Sequence, residues 1–377
     1  MRVAVVFGTR PEIIKLASVV HALRQGERSA VVTVHTGQHY DESMSQRFLV
    51  ELGLPPVDVH LRAAAEGLGG MVRRVTEALE RVRPDLVVVQ GDTNSALAGA
   101  LAAVLCGVRL AHVEAGLRCF DPGMREEVNR VAVDHLSDLL FAPTLRAASH
   151  LASEGVRGGV HVVGNTVVDA VEKVMGPAMD AIEKCAGSAA VRDVLPVPRT
   201  YAIATLHRAA NTDNAERLRE WLTAFRDIAS QGLSVRLAVH PRLGRRLDEF
   251  GLRPLLAHGT GVTVEEPMGY REFLEALAGA CVVLTDSGGV QEEACVLQVP
   301  CLTLRPHTER PETVEVGANR VVPSGREAVA AALEAMRAPG RQWPNPLGDG
   351  HAGERIAGLC CAAVVSAAAP RWALPGR

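Results

Sequence analysis

Short Val-rich runs, apolar on both faces, alternate along this chain with longer stretches of helical periodicity. The runs occupy residues 2–7 (RVAVVF), 30–35 (AVVTVH), 85–90 (DLVVVQ), 109–113 (RLAHV), 138–141 (DLLF) and 160–163 (VHVV). Helical patterns fill 12–24, 68–81, 95–105 and 127–136. A strand that is apolar on both sides has to be covered on both sides, as in a parallel sheet flanked by helices. Right-handed strand–helix–strand crossovers then build a doubly wound α/β sheet.

The alternation pauses over about 172–199, where Gly176-Pro177 and Pro196-Val197-Pro198 read as breakers. It resumes with runs at 201–206, 234–239, 261–264, 281–285 and 300–304, and with helical patterns at 215–230 and 270–278. A single core rarely organises more than ~250–300 residues, and the chain has 377. The expectation is therefore two Rossmann-like, doubly wound domains, at 1–168 and 169–351. A C-terminal helix over 352–369, beyond the breaker Pro344-Asn345-Pro346, is expected to return to the first domain. Sheets of this kind bind ligands at the carboxyl ends of their strands, so two of them facing each other would enclose a cleft.

Charge and composition exclude several functions. Lys and Arg number 40 against 43 Asp and Glu, a formal charge of -3. No basic field marks the chain for nucleic acid. No apolar run reaches the ~18–20 residues of a membrane helix. The N-terminus enters a strand at once, unlike a signal peptide, so a cytoplasmic protein without a membrane partner is expected. The eight cysteines show neither CxxC nor metal-ligand spacing.

The polar motifs fall at the ends of the strand-like runs. Gly8-Thr9-Arg10-Pro11-Glu12 follows the first run and opens a helix, with Lys15 one turn further on. A helix N-terminus with nearby cations suits a phosphate. An ordinary strand–helix turn with exposed charges fits the residues equally well. Asp286-Ser287-Gly288-Gly289 repeats the arrangement in the second half, with Gln291, Glu292 and Glu293 in the following turns. Thr308-Glu309-Arg310-Pro311-Glu312 supplies a further arginine. Gly91-Asp92-Thr93, His112-Val113-Glu114, Glu126-Glu127 and His207-Arg208 place carboxylates and histidines near other run ends or at a helix start. Such a set can divide general acid and base roles. A metal held by Asp92, Glu114, His112 and His207 is conceivable, but no close-spaced ligand pair supports it. The loop Gly37-Gln38-His39-Tyr40-Asp41 lines the same site or is a plain loop.

Taken together, these pieces resemble the non-hydrolysing UDP-N-acetylglucosamine 2-epimerases. The matching stretches are FGTRPEIIKLA (7–17), TGQHYDESM (36–44), QGDTNSALAGALAA (90–103), HVEAGLRCFD (112–121), EEVNR (126–130), VGNTVVDAV (163–171), TLHRAANTD (205–213), LTDSGGVQEEA (284–294) and TERPETVEVGAN (308–319). The resemblance implies a glycosyltransferase-B-like pair of domains with UDP in the cleft. It also implies inversion at C2 of UDP-GlcNAc to UDP-ManNAc, through elimination of UDP to a 2-acetamidoglucal and its re-addition. No metal or other cofactor and a homodimer are further implied. Carried over residue by residue, the acid–base set is Asp92, Glu114, Glu126 and His207. Arg10 and Lys15 match cleft cations, and Ser287, Gly288 and Gly289 a diphosphate cradle. Glu293 matches a ribose ligand, Phe273 an aromatic near the uracil, and Arg310 a second arginine clamp. Arg125 stands where relatives often have Pro, Asp41 where Gln is common, and Ala209-Ala210 where Arg-Glu is common. The last two departures suggest weak or absent allosteric activation by a second UDP-GlcNAc. Leu117, where diacetamido-sugar epimerases often carry Asn, favours plain UDP-GlcNAc.

Overall fold

Two parallel sheets organise the computed structural model, which describes residues 1–26, 29–38, 42–184, 200–337, 342–365 and 372. Each sheet is the core of one compact unit. The first unit is Met1–Lys173 together with Leu347–Arg377, and the second is Val174–Pro346.

The first unit carries β1 (Arg2–Phe7), β2 (Ala30–His35), β3 (Val59–His60), β4 (Leu86–Gln90), β5 (Arg109–Val113), β6 (Leu139–Ala142) and β7 (Gly159–Val162). They lie in the order β3-β2-β1-β4-β5-β6-β7. Every neighbouring pair is parallel, with Val3 opposite Val31 on one side and Leu86 on the other. The central strands are buried on both faces, as a doubly covered sheet requires. The helix Ala352–Val365 packs against the helix Arg10–Gln25 and is tied in by Asp169, whose carboxylate accepts from Gly353 N at 2.7 Å and Ala352 N at 3.3 Å. A carboxylate at that position satisfies orphan amides of a helix N-terminus.

The second unit carries β8 (Tyr201–Thr205), β9 (Ser234–Ala238), β10 (Val262–Glu265), β11 (Val282–Thr285), β12 (Cys301–Thr303) and β13 (Asn319–Val321), in the order β10-β9-β8-β11-β12-β13. Its core is filled from the helix Ala215–Ser230, whose Trp221, Leu222, Phe225 and Ile228 recur at helical spacing and are fully buried. In both sheets the winding reverses beside the first strand, between β1 and β4 and between β8 and β11. Those are the switch points where crossovers part and leave room for a ligand.

The structure departs from the sequence reading at the unit boundaries, where 169–173 and 347–351 join the first unit, and in some of the elements. The strands β3 and β13 have two and three residues and no readable period, and they form because β2 and β12 offer parallel edges. The helix Thr166–Lys184 runs through Gly176-Pro177, which had read as a breaker. Buried Val167, Val168, Val171, Val174 and Met175 pin its earlier turns, and the helix absorbs the amide hydrogen that Pro177 lacks. Pro196-Val197-Pro198 and residues 366–369 of the expected last helix lie outside the described residues. Among the described residues no helix is long and apolar enough to cross a membrane.

Candidate active site

In the first unit the polar residues gather at the ends of β1, β4 and β5. β1 ends in Gly8-Thr9, and the helix Arg10–Gln25 starts with Pro11 preset for its first turn. The buried Glu12 turns back over this start. Its Oε2 accepts from Gly8 N at 3.0 Å and Thr9 N at 2.8 Å, and its Oε1 from the Thr93 hydroxyl at 2.8 Å. The two amides just ahead of the helix are thus occupied by the chain's own carboxylate, and β1 is tied to the turn after β4. Burial pushes Glu12 up from 4.5 to about 7, against the pull of its hydrogen bonds. The Arg10 guanidinium lies 5.7 Å from the centre of the Phe48 ring.

Glu114 is the centre of this half. Lys15, one turn into the first helix, forms a buried ion pair with Glu114 Oε2. Gln90 Nε2 donates to the same oxygen at 2.8 Å. Glu114 also has φ 69, a left-handed conformation that costs a non-glycine residue roughly 1–2 kcal/mol. Gly116, at φ 83, completes the turn, and a Cβ there would lie 2.2 Å from Ala147 O. At the neighbouring strand end, Asp92 is paired with the Arg130 guanidinium, and Asn129 Nδ2 holds the Asp92 carbonyl at 2.8 Å. Glu126 sits half-buried in the first turn of the helix that carries both partners, Arg125–Leu136. Glu127 is structural. Its carboxylate accepts from Cys119 N and Phe120 N and pairs with Arg130 at 2.6 Å. Burial would raise Glu127, but these donors outweigh it and hold it below the usual carboxylate range.

Gln38 docks on the same end of the sheet, accepting from Ser95 N at 2.9 Å and Ser95 Oγ at 2.7 Å. His39, Tyr40 and Asp41 lie outside the described residues. His112 is fully buried behind the two carboxylate turns, with one ring nitrogen 2.7 Å from Asp134 and the other 2.9 Å from a backbone carbonyl. Both nitrogens are committed to protein groups, which removes His112 from the conceived metal set. Among the described residues no cluster of three His, Cys, Asp or Glu is placed to hold a metal ion.

In the second unit the switch point is held by Asp286, fully buried at the end of β11. Its carboxylate accepts from His207 N at 2.9 Å, Arg208 N at 3.0 Å and Asn211 Nδ2 at 2.9 Å, so the turn after β8 is moored to β11. Burial raises Asp286 above its ordinary range, with these donors opposing. His207 itself is exposed, its ring edge-on to His240 at 5.4 Å. Ser287 precedes the helix Gly288–Val296. Arg310 lies directly over Gly288, where a Cβ would come within 3.0 Å of its Cζ, while the space beside Gly289 is open. Arg310 Nε donates to Glu292 Oε1 at 2.7 Å. Glu309 gathers the other cations, with Arg305 bidentate at 3.0 and 2.6 Å, Arg208 at 3.6 Å and Arg310 at 3.7 Å. Burial would raise Glu309, but the Arg305, Arg310 and Arg208 guanidiniums outweigh it and hold it far below the ordinary range. Arginines and a helix N-terminus in one place are groups that can receive an anion. Glu293 is buried beside the Tyr270 hydroxyl, which burial and then Glu293 push well up. Phe273 is half-buried on the helix Tyr270–Ala278.

The family model for UDP-N-acetylglucosamine 2-epimerase matches residues 21–360 of the chain. The chain belongs to this epimerase family. It is 45% identical over 364 residues to a UDP-N-acetylglucosamine 2-epimerase of Methanocaldococcus jannaschii, covering 94% of this chain and 98% of the relative. It is also 36% identical to the UDP-2,3-diacetamido-2,3-dideoxy-D-glucuronate 2-epimerase of Pseudomonas aeruginosa, covering 95% and 98%. A solved structure of the Methanocaldococcus jannaschii UDP-GlcNAc 2-epimerase in complex with UDP-GlcNAc and UDP superimposes with a TM-score of 0.85 at 42% identity. It spans 96% of this chain and 100% of that one.

Within this 2-epimerase chain the first unit unites Lys15 with Glu114 and sets Asp92 on the adjoining strand end, with Glu126 on the helix that holds Asp92. The second unit assembles Ser287, Gly288, Gly289 and Arg310 around one helix start. The sequence motifs include Gln90, Arg130, Asp286 and Glu309, but sequence reasoning gave no role to them, although they hold the named residues. Gln90 and Asp286 lie at strand ends, where position gave a signal, whereas Arg130 lies within the helix Arg125–Leu136 and Glu309 just ahead of the helix Pro311–Glu315.

Proposed function

We propose that this epimerase interconverts UDP-GlcNAc and UDP-ManNAc without net hydrolysis. The observation that carries the reading is the pair of carboxylates on the neighbouring ends of β4 and β5, Asp92 and Glu114, each held by its own cation beside the switch point. C2 of the sugar has no adjacent ketone to acidify its hydrogen. Proton removal therefore has to be coupled to departure of UDP, which leaves a 2-acetamidoglucal. Asp92, Glu114, Glu126 and His207 divide removal of the C2 proton and its return to the opposite face. The helix start at Ser287-Gly288-Gly289, with Arg310 over it, takes the leaving diphosphate and stabilises its charge. Holding glycal and UDP together makes re-addition effectively unimolecular, so epimerisation outruns loss of the sugar. Glu293 is proposed as the ribose ligand and Phe273 as the uracil neighbour, with Arg10 a further cation. A cytoplasmic homodimer completes the proposal, and sedimentation of the purified chain tests the dimer.

Proton NMR of UDP-GlcNAc incubated with the protein in D2O tests the chemistry. UDP-ManNAc carrying deuterium at C2 is the expected product. Free ManNAc with UDP would move the chain to a hydrolysing epimerase. Turnover of a UDP-diacetamido uronic sugar alone would replace the substrate but keep the mechanism.

A further inference from the structure

We propose that His112 and Asp134 are positioning residues that set the two carboxylate turns, an inference that rests on the epimerase reading above. The His112 ring is held at both ends in a site closed to solvent: Nδ1 lies 2.7 Å from Asp134 Oδ1 and Nε2 2.9 Å from Gly91 O. Both facing atoms are acceptors. A bond at each end requires both ring nitrogens to donate, which the ring hydrogens themselves can report. Asp134 Oδ2 accepts from Gly116 N at 3.2 Å and from Arg118 Nη2 at 2.7 Å. Arg118 is clamped in turn by Glu154 at 2.7 and 2.6 Å and donates to Leu117 O at 2.7 Å.

One charged chain thus runs from the backbone of the residue before Asp92 to the backbone two residues after Glu114. Gly91 N donates to Val113 O at 3.0 Å, which closes the connection from the other side. The left-handed Glu114 lies inside this frame. Its conformation is held by bonds on both flanks, from Gly91 N to Val113 O and from Gly116 N to Asp134. Core-filling alone does not call for such a network, because apolar residues in place of a buried ion pair are often as stable. A directional network does what apolar packing cannot, holding two backbone turns at a defined separation and angle.

Two His112 variants test this. Asn places an amide nitrogen near Nδ1, keeping the bond to Asp134 and losing the one to Gly91 O. Gln places it near Nε2, keeping the bond to Gly91 O. H112N is expected to lose about 10²-fold in kcat, the scale of a ~1 Å misplacement, with KM for UDP-GlcNAc and Kd for UDP unchanged. H112Q keeps the bond to Gly91 O but breaks the chain at Asp134, and is expected to lose kcat on the same scale, again with KM and Kd unchanged. A purely structural role would lower both melting temperatures and leave kcat per folded molecule alone. Wild-type kcat in folded H112N or in folded H112Q would overturn the proposal.

A second measurement needs neither activity nor a folded H112N. In 15N-histidine-labelled wild-type protein at pH 7.5, both His112 ring nitrogens should appear protonated, with slowly exchanging hydrogens. An unprotonated ring nitrogen overturns the proposal. Absence of turnover by the wild-type enzyme would instead count against the proposed function, and the ring's protonation state would then decide the inference alone.

Discussion

Replacing Glu12 by Gln separates the electrostatic cost of that buried carboxyl group from its hydrogen bonds. The amide has the same shape. Its oxygen can receive Gly8 N and Thr9 N, now at 3.0 and 2.8 Å from Oε2, and its NH2 can donate to the Thr93 oxygen once that hydroxyl turns round. What the variant loses is the ability to ionise. Burial raises the folded-state value from 4.5 to about 7. A group whose folded value lies above its unfolded one stabilises fully below the unfolded value and loses that contribution as pH rises through the folded one. The rise corresponds to about 3 kcal/mol, of which about 2.5 kcal/mol falls between pH 5 and pH 8.5. Urea denaturation followed by far-UV circular dichroism at those two pH values gives the wild-type minus E12Q difference, from which other titrating groups cancel. The difference should fall by about 2.5 kcal/mol from pH 5 to pH 8.5. In relative terms, E12Q gains on the wild type as pH rises. A flat difference would mean that the Glu12 environment does not penalise charge. A difference that grows with pH would mean that the three donors outweigh burial, and the reasoning would be refuted.

Glu114→Gln should leave UDP affinity unchanged and lower both kcat and C2 hydrogen exchange by about 10²–10⁴-fold, the usual worth of a positioned acid or base; rates within twofold of wild type would remove Glu114 from the acid–base set. Gly288→Ala puts a methyl group 3.0 Å from Arg310 Cζ and must displace the guanidinium. UDP binding by calorimetry should weaken by about 10-fold, as expected for loss of one charge-assisted contact of ~1.5 kcal/mol, and unchanged affinity would contradict the cradle. Initial rates should be hyperbolic in UDP-GlcNAc, because Asp41 stands where Gln is common in the resembled family and Ala209-Ala210 where Arg-Glu is common. A sigmoidal curve would show that such activation persists.

The long elements were legible because their patterns are local. The helices Ala215–Ser230 and Tyr270–Ala278 have the bounds that their apolar spacing predicts. The Val-rich runs became strands shifted by about one residue at their ends, since a doubly buried strand has little choice of residue type. The edge strands β3 and β13 were not legible, because two or three residues carry no period and pair only when a neighbour supplies an edge. The breaker at Gly176-Pro177 misled because apolar anchoring of the earlier turns outweighed a local penalty.

The site divides along the same line. Residue types and their places after strands are sequence properties, and they pointed to Asp92, Glu114, His207, Ser287 and Arg310. Which groups touch is a property of the fold. Nothing local shows that Glu12 occupies the amides ahead of its own helix and reaches Thr93, or that Asp286 moors His207 and Arg208 across 79 and 78 residues of chain. Nor does it show that His112 bridges Gly91 and Asp134. Hydrophobic patterning is read along the chain and survives in any context. Hydrogen bonds and ion pairs between distant segments exist only once the sheets have brought strand ends together, so the sequence determined the kind of fold and the chemical groups at its strand ends, and the tertiary structure decided how those groups pair.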